Sequence, residues 1–285
     1  MIKENGAEVM TPENNIIIAD DLKCSDCTID FRGSGNILYA EPGVDLADST
    51  IVFFGDNALL YLSENKRHQY KLKLDLWRET TVYFGKNSYF NGFFSAIASE
   101  RQNLIVGENG VFSFGIWLRT ADPHLIYDIS TGKRTNMSKS IMIGDHVWIG
   151  QNALILKGSR IGSGSIIAAA AVLAGKEVPS NSVFAGNPAR LVKDKVFFVG
   201  RSVHNYTQKK TERSMNSDVK DFIYKEPAKR FDFEGINKAL TSASDAGKRL
   251  DIVREKIAER SDKDRFHIGT GVDHKRSHLF FGKRG

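Results

Sequence analysis

The dominant pattern along the chain has a period of six. An aliphatic residue returns at Ile143, Ile149, Ile155, Ile161, Ile167 and Leu173, opening six consecutive hexads. Four positions after the first five of these stand Val147, Ala153, Ser159, Ser165 and Ala171, all small or β-branched. An amphipathic helix repeats every 3.6 residues and a half-buried strand every two, so neither explains the run. A parallel β-helix does. Each hexad forms one flat side of a coil, the aliphatic residue points inward, and the small one fits the crowded interior beside it. Gly and Asn supply the turns between sides, where a positive φ costs little.

The signal begins before residue 143 but is interrupted. Phe54-Gly-Asp-Asn, Phe84-Gly-Lys-Asn and Val106-Gly-Glu-Asn share an apolar-Gly-polar-Asn opening, while Ile37 to Thr50 is strand-like but off period. Ser63 to Leu76 reads as one more irregular side. The N-terminal third is therefore expected to be a degenerate β-helix, its wider coils filled by Phe53, Phe54, Phe84, Phe90, Phe93 and Phe94. From Val106 the register runs through Phe112 and Leu118 to His124. A polar, turn-rich break from Leu125 to Ser140 follows before the pattern resumes. A loop that leaves a regular scaffold and returns to it commonly carries function.

The repeat ends at Val178-Pro-Ser-Asn-Ser-Val and Phe184-Ala-Gly-Asn-Pro-Ala-Arg. Beyond it, 201–234 reads as an irregularly packing linker. Gly235 to Ser261 reads as one helix, with Ile236, Leu240, Ala243, Gly247, Leu250, Val253 and Ile257 on a single stripe. The last stretch, Phe266 to Gly285, is Gly-rich and basic with Leu279-Phe280-Phe281 as its apolar anchor. Two domains are expected: a β-helix over 1–200 and a basic extension over 201–285 with a helix at 235–261.

Composition narrows the partners. No run approaches the roughly 20 apolar residues of a membrane span, and Met1-Ile-Lys-Glu-Asn-Gly lacks the pattern of a secretory signal. A cytoplasmic location is the expectation. Residues 201–285 carry a net charge of +7 and residues 1–200 of −1. Such asymmetry fits either an anionic partner for the tail or a solvated basic helix. Cys24 and Cys27 form a lone C-x-x-C with no second ligand pair nearby, so they are expected to be reduced structural thiols.

Three segments carry a resemblance. Ala121-Asp-Pro-His-Leu-Ile-Tyr-Asp-Ile-Ser-Thr-Gly-Lys-Arg-Thr-Asn, then Ile143-Gly-Asp-His-Val-Trp-Ile-Gly, then Val183-Phe-Ala-Gly-Asn-Pro-Ala-Arg resemble the hexapeptide-repeat acyltransferases. Within them the chain looks most like the sugar and capsular-polysaccharide O-acetyltransferases, polysialic acid O-acetyltransferases included. The match is specific over about 104–194, loose over 30–103 and absent from 201 onward. It implies an all-β, left-handed parallel β-helix, a homotrimer with sites between subunits, and acetyl-CoA as donor. Ala168 to Ala171 stands where the family often has Gly-Ala-Gly-Ser, and one extra residue is read between Leu173 and Lys176.

The implied reaction transfers acetyl to a hydroxyl of a bacterial surface polysaccharide or its sugar precursor. A histidine base suits it, because its pKa lies near neutrality and a positioned base is worth roughly 10²–10⁴ in rate. His124 stands where the family places that base. Asp122 is a candidate to orient it, and His146 is a rival base whose outward slot favours a surface role. The resemblance gives Trp148 to the lining of the donor or acceptor pocket. It gives Gln151, Ala169 and Lys176 to the pantetheine arm or adenine end, and Arg190 and Lys193 to the CoA phosphates. No metal and no nucleic acid are expected. A carbohydrate acceptor is expected, and the basic tail could hold an anionic glycan or an anionic inner membrane face. The alternatives are an N-acetyltransferase on a nucleotide-linked amino sugar, a non-catalytic scaffold, or a metal-dependent anhydrase-like β-helix, which would need three interfacial histidines.

Overall fold

The computed structural model describes residues 7–66, 68–229 and 231–270. From Ile16 the chain winds into a three-sided parallel β-helix of about seven turns. Each regular turn lays one short strand on each side, in a fixed order named here faces 1, 2 and 3. Face 1 is a nine-stranded sheet, face 2 a six-stranded sheet above a separate two-stranded one, and face 3 a seven-stranded sheet. The six hexad-opening residues from Ile143 to Leu173 are fully buried, and the small residues from Val147 to Ala171 line the same interior.

Coil length changes along the axis. On face 1, Ile37, Leu59, Thr81 and Asn103 lie opposite one another and 22 residues apart. Above the break, Ile143 pairs with Ile161, 18 residues on, which is three hexads. The wider lower coils need bulk, and Tyr70, Phe84, Phe90, Phe94 and Phe112 supply it, ring against ring at 5.0–6.2 Å between centroids. Phe53 is likewise interior, but Phe54 and Phe93 are not. Phe54 stacks on Trp77 at 4.8 Å, and Phe93 lies under Lys73 Nζ at 3.9 Å. The turn above Leu173 is short by one residue rather than long by one, because Ile161 pairs with Val178 only 17 residues on.

Corners follow the Gly and Asn pattern. Asn57, Asn87, Asn109, Asn152 and Asn181 all hold φ between 55° and 60°, the left-handed conformation that Asn tolerates. The glycine of the apolar-Gly opening serves close stacking instead: a Cβ on Gly85 would meet the Gly107 carbonyl carbon at 2.7 Å. Both ends of the solenoid are closed by antiparallel strands, Ala7–Met10 below and Arg190–Lys193 above. These occupy edges that would otherwise be open to further pairing.

The C-terminal extension returns to cover face 1. Its elements are α1 (Gln208–Arg213), α2 (Phe233–Ser242) and α3 (Ala246–Val253), the last running on as a π turn to Ala258. The single helix expected over 235–261 is thus broken. Ala243 is extended at φ −65°, ψ 134°, and Asp245 starts a second helix by accepting a hydrogen bond from the Lys248 amide at 2.8 Å. The outward positions of face 1, including Tyr61, Tyr83, Ile105 and Met142, form a second core with Phe233, Ile236, Leu240, Leu250, Val253 and Phe266. The 201–234 segment is also docked in part: Phe222 O accepts from Asn181 Nδ2 at 2.8 Å, and Asn181 Oδ1 accepts from the Tyr224 amide at 2.7 Å. The Leu279-Phe280-Phe281 anchor lies outside the described residues.

One buried cation ties extension to coil. Arg265, 2% exposed, donates from Nε to Asp145 at 3.1 Å and from Nη2 to Glu108 at 2.9 Å. Removing it leaves Asp145 buried without its counter-charge. Arg265→Ala is expected to cost about 3–5 kcal/mol and to free the extension. A lowered urea midpoint, with new proteolytic cleavage beyond residue 200, checks this.

Candidate active site

The break in the repeat is an extruded loop at the corner where face 3 passes to face 1, between strands Ile116–Arg119 and Ile141–Ile143. Its outer part is a small antiparallel turn in which Tyr127 bridges Arg134. Asp128 Oδ1 caps it, accepting from the Thr131 amide at 2.8 Å. Its base is held by a polar network. Asn136 donates to the His124 carbonyl at 2.7 Å and to Asp122 Oδ2 at 3.1 Å, and accepts from the Ile126 amide at 3.0 Å. Lys157 pairs with Asp122 and donates to the Asn136 carbonyl at 3.1 Å. Glu100 binds Arg134 and Ser138, and those bonds pull its carboxyl down to about 2.

His124 stands at the head of this network with its ring exposed, and no hydrogen bond to the imidazole occurs among the described residues. Asp122 does not touch it. Its carboxylate is engaged by Lys157 first and Asn136 second, which holds its pKa below the usual value. Beside Asp122 an open groove of about 390 Å³ runs along face 3 past Pro123, Trp117, Arg119, Leu154 and Leu156.

Trp148 lies elsewhere on the same turn. It opens a strand of face 2, pairs with Val111 below and Ile166 above, and is 39% exposed. His146 occupies the left-handed corner before it, at φ 51°, the slot that Asn fills in other turns. The side chain points outward but is not a surface residue, which corrects the expectation. It is 5% exposed, stacked between Phe198 at 4.1 Å and Phe222 at 3.8 Å, and its Nε2–H donates to the Phe198 carbonyl at 3.0 Å. Burial lowers its pKa from 6.5, so it is fixed as a neutral clamp on the extension. The same Phe198 leans on Trp148 at 5.8 Å.

The remaining predicted residues divide between corners. Gln151 and Ala169 are exposed on the turn from face 2 to face 3, one coil apart, where the Ala170 amide donates to the Gln151 carbonyl at 2.7 Å. Only Ala169 and Ala170 of the four alanines are exposed; Ala171 is interior. Arg190 and Lys193 lie exposed on the closing strand of face 2. Lys176, by contrast, is on the face 3 to face 1 corner with Lys157 and the loop. The residues thus divide between the face 3 to face 1 corner, which holds Asp122, His124 and Lys176, and face 2 with its corner to face 3, which holds Trp148, Gln151, Ala169, Arg190 and Lys193.

A family model described as bacterial transferase hexapeptide (six repeats) matches residues 140–175. Polysialic acid O-acetyltransferases of Escherichia coli O1:K1 / APEC and Neisseria meningitidis are 32% and 28% identical over 138 and 196 residues. These alignments take in 48% and 68% of this chain, and 44% and 89% of the relatives, so the chain spans under half of the first. The solved polySia specific acetyltransferase NeuO superimposes with a TM-score of 0.59 at 27% identity, over 70% of this chain and 92% of that one. Residues 140–175 thus carry the hexapeptide repeat of bacterial transferases, and the solenoid as a whole is similar to these acetyltransferases. This solenoid is a left-handed parallel β-helix. The polysialic acid O-acetyltransferase OatWY, at 22% identity and a TM-score of 0.52, shares that fold.

Several residues of the candidate site were missed from sequence. Lys157, Asn136 and Glu100 hold the loop, yet each reads alone as an ordinary polar residue of a turn or hexad. Phe198 was passed over because its partners, His146 and Trp148, are some fifty residues away. The clamp has a testable pH dependence. His146 is disfavoured as a cation when docked, so the undocked arm binds more protons, and docking is full above about pH 6.5 and weakens as pH falls below it. Hydrogen exchange of 196–224, corrected for intrinsic rate, should show protection falling over that window. His146→Asn should abolish the pH dependence.

Proposed function

We propose that the chain transfers acetyl from acetyl-CoA to a hydroxyl of an acidic bacterial surface polysaccharide or its sugar precursor, with His124 as general base. The observation that carries this is the contrast at the loop base: Asp122, Asn136, Glu100 and Lys157 are bonded to one another, while the His124 imidazole is exposed and unengaged beside an open groove. The polysialic acid enzymes named above support a carbohydrate acceptor, and an anionic one at that.

The reaction needs a proton moved and an anion met. His124 takes the acceptor hydroxyl's proton as that oxygen attacks the thioester carbonyl, forming a tetrahedral oxyanion. Backbone N–H groups stabilise such an anion. Collapse expels the CoA thiolate, which receives the proton from His124, so no covalent enzyme intermediate is needed. Cys24 and Cys27 are free thiols at the bottom of the solenoid, remote from the loop. Gln151 and the small corner at Ala169 and Ala170 fit a slender pantetheine arm, since bulk there would block it. Arg190 and Lys193 suit the phosphates. Asp122 acts through Lys157 and Asn136 on the loop rather than on the imidazole.

Because His124 and Trp148 occupy different corners of one copy, a ligand reaching both must lie between two copies. The outward column of face 3 fits such a contact: it runs Thr28, Thr50, Lys73 and Ser95 below, then Trp117, Leu154 and Val172 above. The apolar upper rungs, with the exposed loop residues Leu125, Ile126, Tyr127 and Ile129, are the surface for a neighbour. A head-to-tail contact of this kind closes as a ring, and the homotrimer is that ring. The basic extension would face the anionic glycan, or the anionic inner membrane face where capsule is assembled; no described helix is long and apolar enough to cross a membrane.

His124→Ala should keep the oligomer and CoA binding but lose roughly 10²–10⁴ of acceptor-dependent thiol release. Full activity in that variant removes His124 as the base. An acetyl group released from the product by mild alkali identifies an ester. One that survives identifies an amide and an amino-sugar acceptor.

A further inference from the structure

Face 2 is interrupted at its third coil. Strands Lys23–Ser25 and Asp45–Ala47 pair with each other, and only a single bridge from Leu46 to Tyr70 continues them upward. The described residues 63–66, 68 and 69 form no strand there, and the regular face resumes at Tyr89–Phe90. The gap is a groove of about 480 Å³ whose lining includes Lys23, Asp45, Asn65, His68, Lys71 and Tyr89.

The groove is equipped in a way the solenoid does not require. Tyr89 is 42% exposed, with the His68 ring edge-on to it at 5.0 Å. Asn65 is 1% exposed and donates to the Ser88 carbonyl at 2.9 Å, but its Oδ1 is buried with no hydrogen-bond partner. Asp45 accepts from Gln69 at 3.1 Å through Oδ2 and leaves Oδ1 equally unpaired. A buried acceptor without a donor costs about 1–3 kcal/mol, so two behind one groove are a cost that the solenoid alone does not explain. Lys66 and Lys71 on the wall are paired with Glu64 and Asp48, while Lys23 has no ion pair among the described residues. An open aromatic ring and the ammonium group of Lys23 together match a carboxylate-bearing sugar: its C–H face on Tyr89 and its carboxylate on Lys23.

Its position connects it to the candidate site. Tyr89, Val111 and Trp148 are consecutive outward rungs of one column. Two rungs of a sheet span roughly 10 Å, so a polymer leaving Trp148 along face 2 passes directly over the groove. We infer that this groove is a second sugar subsite, which binds an acidic residue of the acceptor chain away from the acetylated one and makes the enzyme favour polymer over monomer. The inference rests on the polysaccharide reading above.

Tyr89→Ala and Lys23→Ala change exposed or partly exposed side chains, and unchanged melting confirms that they fold. With sialic acid oligomers as probes, both should raise KM for a decamer by about tenfold, equivalent to 1.4 kcal/mol. The kcat for the decamer and the KM for a dimer should stay as in the parent enzyme. Calorimetric binding of the decamer to the full chain should weaken by a similar factor. Unchanged decamer KM and affinity in both variants overturn the subsite, whatever is acetylated. Equal binding of a neutral dextran oligomer of the same length overturns its acidic assignment. If no acidic glycan is acetylated yet Tyr89→Ala still weakens decamer binding, the subsite stands and the catalytic reading fails.

Discussion

The structure depends on stacking like on like inside a three-walled prism. Adjacent rungs are one strand apart, about 4.8 Å, so every inward side chain must fit the one above and the one below as well as the two opposite walls. A hexad meets this with one aliphatic and one small residue per side, as at Ile149 with Ala153 and Ile155 with Ser159. Where extra residues widen the coil, that solution leaves a void, and the phenylalanine cluster from Phe84 to Phe112 fills it. The regular coils are rigid for this reason, and a loop can leave them at one corner without disturbing the register above.

The extension changes which surfaces remain available. The second core around Tyr61, Tyr83 and Leu250, locked by Arg265 on Asp145, closes face 1. His146, stacked between two phenylalanines, fastens the arm again beside Trp148. Faces 2 and 3 are left to meet neighbours and ligands, and the loop with His124 projects from the edge between face 3 and the covered one. Within one copy the direct way from Trp148 on face 2 to His124 crosses the covered face 1, which brings a second copy into the proposal.

Much of this was legible in the sequence because periodicity is a local property. The hexads, the small partners, the Asn corners and the break after His124 are each visible within a window of about twenty residues. The covering of face 1 was not, since Tyr39, Tyr61 and Tyr83 alternate with interior residues as any strand side chain does, and nothing local says that a helix nearly two hundred residues later lies on them. His146 was misread for the same reason: its outward direction was correct, but its cover comes from Phe198 and Phe222. The helix over 235–261 carried a true apolar stripe, and Asp245, which caps its second half, was the unread signal. For the candidate site, the position of the loop was legible and its wiring was not, because Lys157 reaches Asp122 across 35 residues.

In the proposed function, one catalytic centre is assembled from the His124 loop of one copy and the Trp148 face of another. Co-refolding His124→Ala with Trp148→Ala tests it most directly, using acceptor-dependent thiol release measured before and after mixing. Two variants of low activity should regain activity on mixing, because some mixed rings pair an intact loop with an intact Trp148 face. If mixing restores nothing although mixed oligomers form, both residues serve a site within one copy, or do not share a site, and a centre shared between copies is ruled out.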